Sequence, residues 1–142
     1  MASVRELLDS KGTAIYSVTP DDPVLDAIKV MAERHVGALL VMKGGELLGI
    51  VSERDYARKV ILLGRSSSDT LVSQIMSHPV HTVTGKQSVQ DCMRLMTHHR
   101  VRHLPVVESG RVIGMISIGD LVKAVIEDQR QTIEQLEDYI HR

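Results

Sequence analysis

A chain of 142 residues, 43% hydrophobic and 25% charged, has the balance of an ordinary globular protein, with apolar material for one compact core or two small ones. A formal charge of -1 and a pI near 6.6 remove any bulk electrostatic attraction to DNA or to an anionic membrane. No apolar run approaches the roughly 18 residues that cross a bilayer, the opening MASVRELLDSKG has no signal-peptide core, and lone Cys92 has no disulfide partner, so a cytoplasmic protein is expected.

The elements follow in chain order. Ser3 and Glu6 stand at capping-box spacing before a short helix from Val4 to Leu8. An extended piece, Ile15 to Val18, comes next. Asp22-Pro23 then announces a helix, with Asp22 as cap and Pro23 as first helical residue. Val24, Ala27, Ile28 and Met31 recur at helical spacing. Two apolar runs, Ala38 to Met42 and Leu47 to Val51, flank Gly44-Gly45 and predict a hairpin. A helix begins near Ser52. Gly64 to Asp69 reads as a flexible polar connector.

The same order then repeats. Val72 to Met76 resembles Val4 to Leu8. Val80 to Val83 is extended, and Ser88 opens a helix with Val89, Cys92, Met93 and Met96 on its apolar face. Leu104 to Val107 and Val112 to Ile116 flank Ser109-Gly110, and a last helix starts near Ser117. Shifting the sequence by 65 residues superimposes Val18–Ile61 on Val83–Ile126 without a gap. Thr19/Thr84, Gly49/Gly114, Ser52/Ser117 and Asp55/Asp120 are among the identical pairs. Repetition of this kind marks one supersecondary unit used twice. Units at 4–63 and 72–126, a connector at 64–71 and a helical extension at 127–142 are expected. A unit of about 60 residues buries too little surface to be comfortable alone, so the two are expected to share a core. Along the last helix and into the extension, Val122, Ile126, Gln129, Ile133, Leu136 and Ile140 are spaced 4, 3, 4, 3, 4. That seam either packs back on its own domain or meets a second subunit.

These residues carry a resemblance to the CBS domain pair. The second copy holds its most specific piece: Arg102-His-Leu-Pro-Val106, Val112-Ile-Gly-Met-Ile-Ser117 and Gly119-Asp120-Leu121-Val122. The first matches with Gly37-Ala-Leu-Leu-Val41 and Gly49-Ile-Val-Ser-Glu-Arg-Asp-Tyr56. The pattern is similar to stand-alone pairs of bacterial type. The resemblance implies an α/β protein of two β-α-β-β-α units with pseudo-two-fold symmetry, here with a long C-terminal helix. It also implies an adenosine-containing ligand in clefts between the units. AMP is the first expectation, with ATP, ADP, NAD and S-adenosylmethionine as alternatives.

Ser52/Asp55 and Ser117/Asp120 each follow a strand and open a helix. An ionised Asp offers two acceptors to a ribose cis-diol, and a serine at a helix start sits beside free amides that attract phosphate. The same Ser-x-x-Asp spacing is also a capping box that needs no ligand. The resemblance places Thr19 and Thr84 along the nucleotide cleft; otherwise they are β-branched turn residues. It gives Gly37, Ala38 and Leu39, with His103, Leu104 and Pro105, to the adenine; otherwise they are strand entry. Arg54, Arg100 and Arg102 suit phosphate, because a guanidinium binds its oxygens bidentately, and His103 beside phosphate would make affinity depend on pH. The copies differ, since Gly119 aligns with Arg54, and Gly37 with Arg102. The two clefts are therefore not expected to be equivalent. His98, His99 and His103 lack zinc spacing, so no metal is expected, and no catalytic motif is present. The expectation is a non-catalytic regulatory protein that forms a homodimer or higher oligomer and acts on an effector protein not yet identified. Nucleic acid and membrane are not expected partners. The rivals are a structural dimerisation module without ligand and a nucleotide-processing enzyme.

Overall fold

The computed structural model describes residues 2–141. In chain order the elements are α1 (Val4–Lys11), β1 (Ser17–Val18), α2 (Val24–Arg34), β2 (Ala38–Lys43), β3 (Glu46–Ser52), α3 (Glu53–Tyr56), α4 (Val72–Ile75), α5 (Val89–His99), β4 (His103–Glu108), β5 (Arg111–Ser117) and α6 (Ile118–Ile140). A π-helical turn, Ala57–Ile61, continues α3. The fold is the expected α/β one.

Two compact bodies form. One holds Ile15–His81, and the other joins the chain up to Ala14 to everything from Thr82 onward. In the first, β1 runs parallel to β2, and β2 pairs antiparallel with β3. In the second, β4 and β5 form the matching hairpin. The extended Val80 to Val83 shrinks to a single bridge, Val83 beside Val106. Both hairpins turn on two residues of positive φ: Gly44 at 58° and Gly45 at 81°, Ser109 at 50° and Gly110 at 74°. That turn has the twist a two-residue hairpin needs. Each hairpin also shifts register at the same step, after Val41 and after Val106.

The entry to α2 differs from expectation. The helix starts at Val24, and Pro23 is the cap residue without a side-chain bond. Asp22 instead accepts the Thr19 N–H at 2.9 Å. The first helical amides must find acceptors elsewhere. Val24 N–H donates to the Thr70 carbonyl at 2.8 Å and Leu25 N–H to that of Ser67 at 3.0 Å. The connector is therefore folded rather than loose, and Thr70 is buried. In the second copy Ser88 does cap α5, in a complete box with Asp91. Its partner amide, Val89 N–H, donates to the Ala2 carbonyl at 3.0 Å.

The leading helices are exchanged. α1 precedes the first repeat, yet Val4 and Leu8 lie in one core with Val89, Cys92, Leu104, Ile116 and Leu121 of the second. α4 precedes the second repeat, yet Val72 and Ile75 join Val24, Leu39, Val51 and Val60 of the first. Gly49 and Gly114 allow the close approach on each side. A Cβ on Gly49 would stand 2.8 Å from Met76 Sδ, and one on Gly114 would stand 2.7 Å from Leu8 Cδ2.

α6 buries Leu121 near its start, but every residue from Gln129 to His141 is exposed. The seam does not fold back on its own body: Val122, Ile126, Ile133, Leu136 and Ile140 are all exposed. Among the described residues no helix is long and apolar enough to cross a membrane.

Candidate ligand site at the two serine–aspartate corners

Each hairpin ends where a helix begins, and the same polar corner forms twice. Ser52 Oγ accepts the Asp55 N–H at 3.1 Å, and Asp55 Oδ2 accepts the Ser52 N–H at 3.0 Å. In the other body Ser117 Oγ accepts the Asp120 N–H at 3.2 Å, and Asp120 Oδ2 accepts the Ser117 N–H at 2.8 Å. Both boxes are complete. Each contributes about 1 kcal/mol to its helix start. The capping role is thus real at both corners, and any ligand contact must use what the cap leaves over.

Each corner lies beside the strand entry singled out in the sequence. Ala38 sits opposite Ser52 and His103 opposite Ser117. Glu53 N–H donates to the Gly37 carbonyl at 3.0 Å, and Ile118 N–H to the Arg102 carbonyl at 2.9 Å. Gly37, Ala38, Ser52 and Asp55 are therefore gathered in one body, and Arg102, His103, Ser117 and Asp120 in the other. Leu39 and Leu104 are fully enclosed in their cores, so their side chains have no face left for an adenine. Pro105 is also buried, and its carbonyl accepts the Val83 N–H at 3.0 Å. Thr19 and Thr84 open matching turns: their N–H groups donate to Asp22 and Gln87 side chains, both at 2.9 Å. Both threonine side chains are exposed. Arg54, Arg100 and Arg102 are exposed and form no ion pair among the described residues. Arg100 ends α5 in the left-handed conformation, at φ 55°.

The two carboxylates differ in what remains free. Asp55 Oδ1 is taken by Lys59 Nζ at 3.2 Å and by the Ser77 hydroxyl at 3.3 Å. Asp120 Oδ2 accepts a bond from Lys11 Nζ at 2.6 Å, and Lys11 also donates to the Met115 carbonyl at 2.6 Å. Asp120 Oδ1 has no hydrogen bond among the described residues. Burial alone would raise the Asp120 pKa, but Lys11 and the Ser117 N–H outweigh it and hold the carboxyl below its ordinary value. The corner therefore keeps an ionised acceptor with one open oxygen. His103 is held below its ordinary value, first by burial and then by the positive charges of Lys11 and Arg102, against the pull of Asp120. It is neutral at pH 7.

Three partners escaped the reading of the sequence. Lys59 lies four residues after Asp55 on one helical run, a spacing that signals an ion pair. Ser77 and Lys11 reach their carboxylates from 22 and 109 residues away, and no local pattern marks either. Among the described residues no three His, Cys, Asp or Glu side chains group as a metal site.

A family model for the CBS domain matches residues 4–62 and 72–127. The mitochondrial CBS domain-containing protein CBSX3 of Arabidopsis thaliana is 44% identical, over 97% of this chain and 71% of its own. A solved CBS-domain protein of Burkholderia ambifaria MC40-6 is 55% identical with a TM-score of 0.86, over 90% of this chain and 96% of that one. The CBS domain pair of protein MJ0100, solved with 5′-methylthioadenosine and S-adenosyl-L-methionine, has a TM-score of 0.80 over 90% of this chain and 98% of its own. It is only 19% identical, so that likeness concerns the fold.

Proposed function

The chain belongs to the CBS domain family, and from that membership we propose that it is a non-catalytic regulatory protein that binds an adenosine-containing ligand. AMP is the first choice, and ATP, ADP, NAD and S-adenosylmethionine belong to the same class. The observation that carries the reading is Asp120. It is ionised, fixed by its own cap and by Lys11, and keeps Oδ1 open. A fixed carboxylate with a free oxygen suits the two hydroxyls of a ribose. Arg102 and Lys11 both lie near enough to His103 to act on its charge, and Arg102, which has no ion pair among the described residues, is the cation left for a phosphate. Gly37, Ala38, Ser52, Arg54 and Asp55 form the counterpart corner, with Thr19, Thr84 and Arg100 as further contacts.

Asp55 favours a second reading for its own corner. Both of its oxygens are already used, which is what a purely structural cap would show. The second-copy corner is therefore the proposed ligand site. The protein is proposed to work in the cytoplasm as a homodimer or higher oligomer, with an effector protein reading the change. A ligand drives such a change only through different affinities for two states. Calorimetric titration with AMP tests the assignment. Binding by the wild type that is weakened at least about tenfold in Asp120→Ala, and little changed in Asp55→Ala, is the expected result. Equal affinity in all three removes Asp120 from the site.

A further inference from the structure

The second half of α6 is built to lie against something. Its polar side chains close bonds along the helix: Gln131, on the outer face, donates to Glu127 at 3.5 Å, and beside the apolar stripe Thr132 donates to the Asp128 carbonyl at 3.1 Å and Arg130 stands 3.8 Å from Glu134. Its other face is apolar and uncovered. Ile126 and Leu136 are 58% exposed, Ile133 56%, Ile140 75% and Tyr139 79%. Together with Val122 and Gln129, the four aliphatic side chains are spaced alternately by four and three residues and form a seam of coiled-coil type, with Tyr139 on its flank.

We infer that this face is the interface with a second copy of the chain, and that the two α6 helices pair antiparallel about an axis near Gln131. This deepens the self-association proposed above and needs no ligand. Charge and register select the arrangement. Antiparallel pairing sets Val122 opposite the second copy's Ile140, Ile126 opposite its Leu136, and Gln129 opposite its Ile133. On one flank Lys123 meets the second copy's Glu137, twice by symmetry. On the other, Val125 meets Tyr139, so the most exposed of these side chains is covered. Arg130 meets its own mate, but it is already paired along its helix with Glu134. The two Gln129 amides come within one helical turn, about 6 Å along the axis, close enough to pair across it. A parallel arrangement would instead set Lys123 beside the second copy's Ile118 and Glu137 beside its Thr132, so neither charge would meet an opposite one.

Sedimentation velocity of the full chain into the micromolar range, with charge swaps and a cysteine probe, tests this. The expected result has four parts. The wild type is a dimer. Leu136→Glu, at an exposed position that leaves thermal unfolding of the monomer intact, raises the dissociation constant at least about tenfold. Lys123→Glu and Glu137→Lys each weaken the dimer, and together they restore it. Thr132→Cys, which faces its own mate only in the antiparallel register, cross-links under oxidation while the wild type with its buried Cys92 does not. A monomeric wild type overturns both self-association and the pairing, and leaves the seam to a different protein. A dimer indifferent to Leu136→Glu overturns the α6 interface alone. Dissociation by Leu136→Glu without rescue by the double swap, or without cross-linking of Thr132→Cys, overturns the antiparallel register.

Discussion

At the scale of single residues, Asp120 has two duties that different substitutions separate. Ala at this position leaves the Ser117 cap but removes the carboxylate's return bond to the Ser117 N–H and its pair with Lys11, so a stability loss of about 1 kcal/mol is expected in urea unfolding. Loss of ligand affinity is expected beyond it. The fold lowers the Asp120 pKa, so the unfolded chain binds its proton at higher pH than the folded one. Its contribution is therefore complete above about pH 4 and is lost as pH falls through the lower folded value. Lys11→Met removes the side chain that does most to lower that pKa. Its stability should fall less steeply below pH 5 than that of the wild type; identical acid profiles would contradict the pairing. His103 works in the same direction. Its folded pKa is below the ordinary 6.5, so stability is present above that value and declines as pH falls past it. His103→Gln should lack that part of the decline. Cys92 is fully buried, and burial pushes its thiol up to about 11, with Asp91 adding to it. Native protein should react slowly with a thiol reagent at pH 8 and rapidly in urea.

At the scale of elements, the exchange of α1 and α4 depends on two glycines that a hairpin does not otherwise need. A methyl group on Gly49 would press on Met76 Sδ at 2.8 Å and on the Ser77 carbonyl at 3.0 Å. The backbone oxygen cannot retreat without moving the segment that also supports Asp55. Gly49→Ala is expected to cost about 1–3 kcal/mol by urea unfolding. The same comparison shows what the sequence could disclose. Hairpins and Ser-x-x-Asp boxes are local: two turn residues and a three-residue spacing determine them, and both were legible. The cap of α2 is not legible locally, because Asp22 has two acceptor roles open to it and the turn amide at Thr19 takes the side chain. The connector's carbonyls then replaced the missing cap. Leu39 and Leu104 were assigned to a ligand by family likeness, but an apolar strand residue at full burial is already committed to its core. Lys11 was invisible because its partner is 109 residues away and only the exchanged packing of α1 brings them together.

At the scale of the whole molecule, two copies of one unit keep the same hairpin, bulge and box but have diverged at the carboxylate. The hairpins, bulges and boxes repeat, while Lys59 and Ser77 close one acceptor and Lys11 leaves the other open. One site of higher affinity is therefore expected, not two equal ones. The most direct measurement is thermal unfolding of wild type, Asp120→Ala and Asp55→Ala against AMP, ATP, NAD and S-adenosylmethionine. A ligand at 100 times its dissociation constant adds about 2.7 kcal/mol of stability. The account predicts a rise in unfolding temperature for the wild type and Asp55→Ala with at least one of these compounds, and none for Asp120→Ala. An equal rise in all three proteins would contradict the site, and no rise in any of them would contradict the ligand class itself.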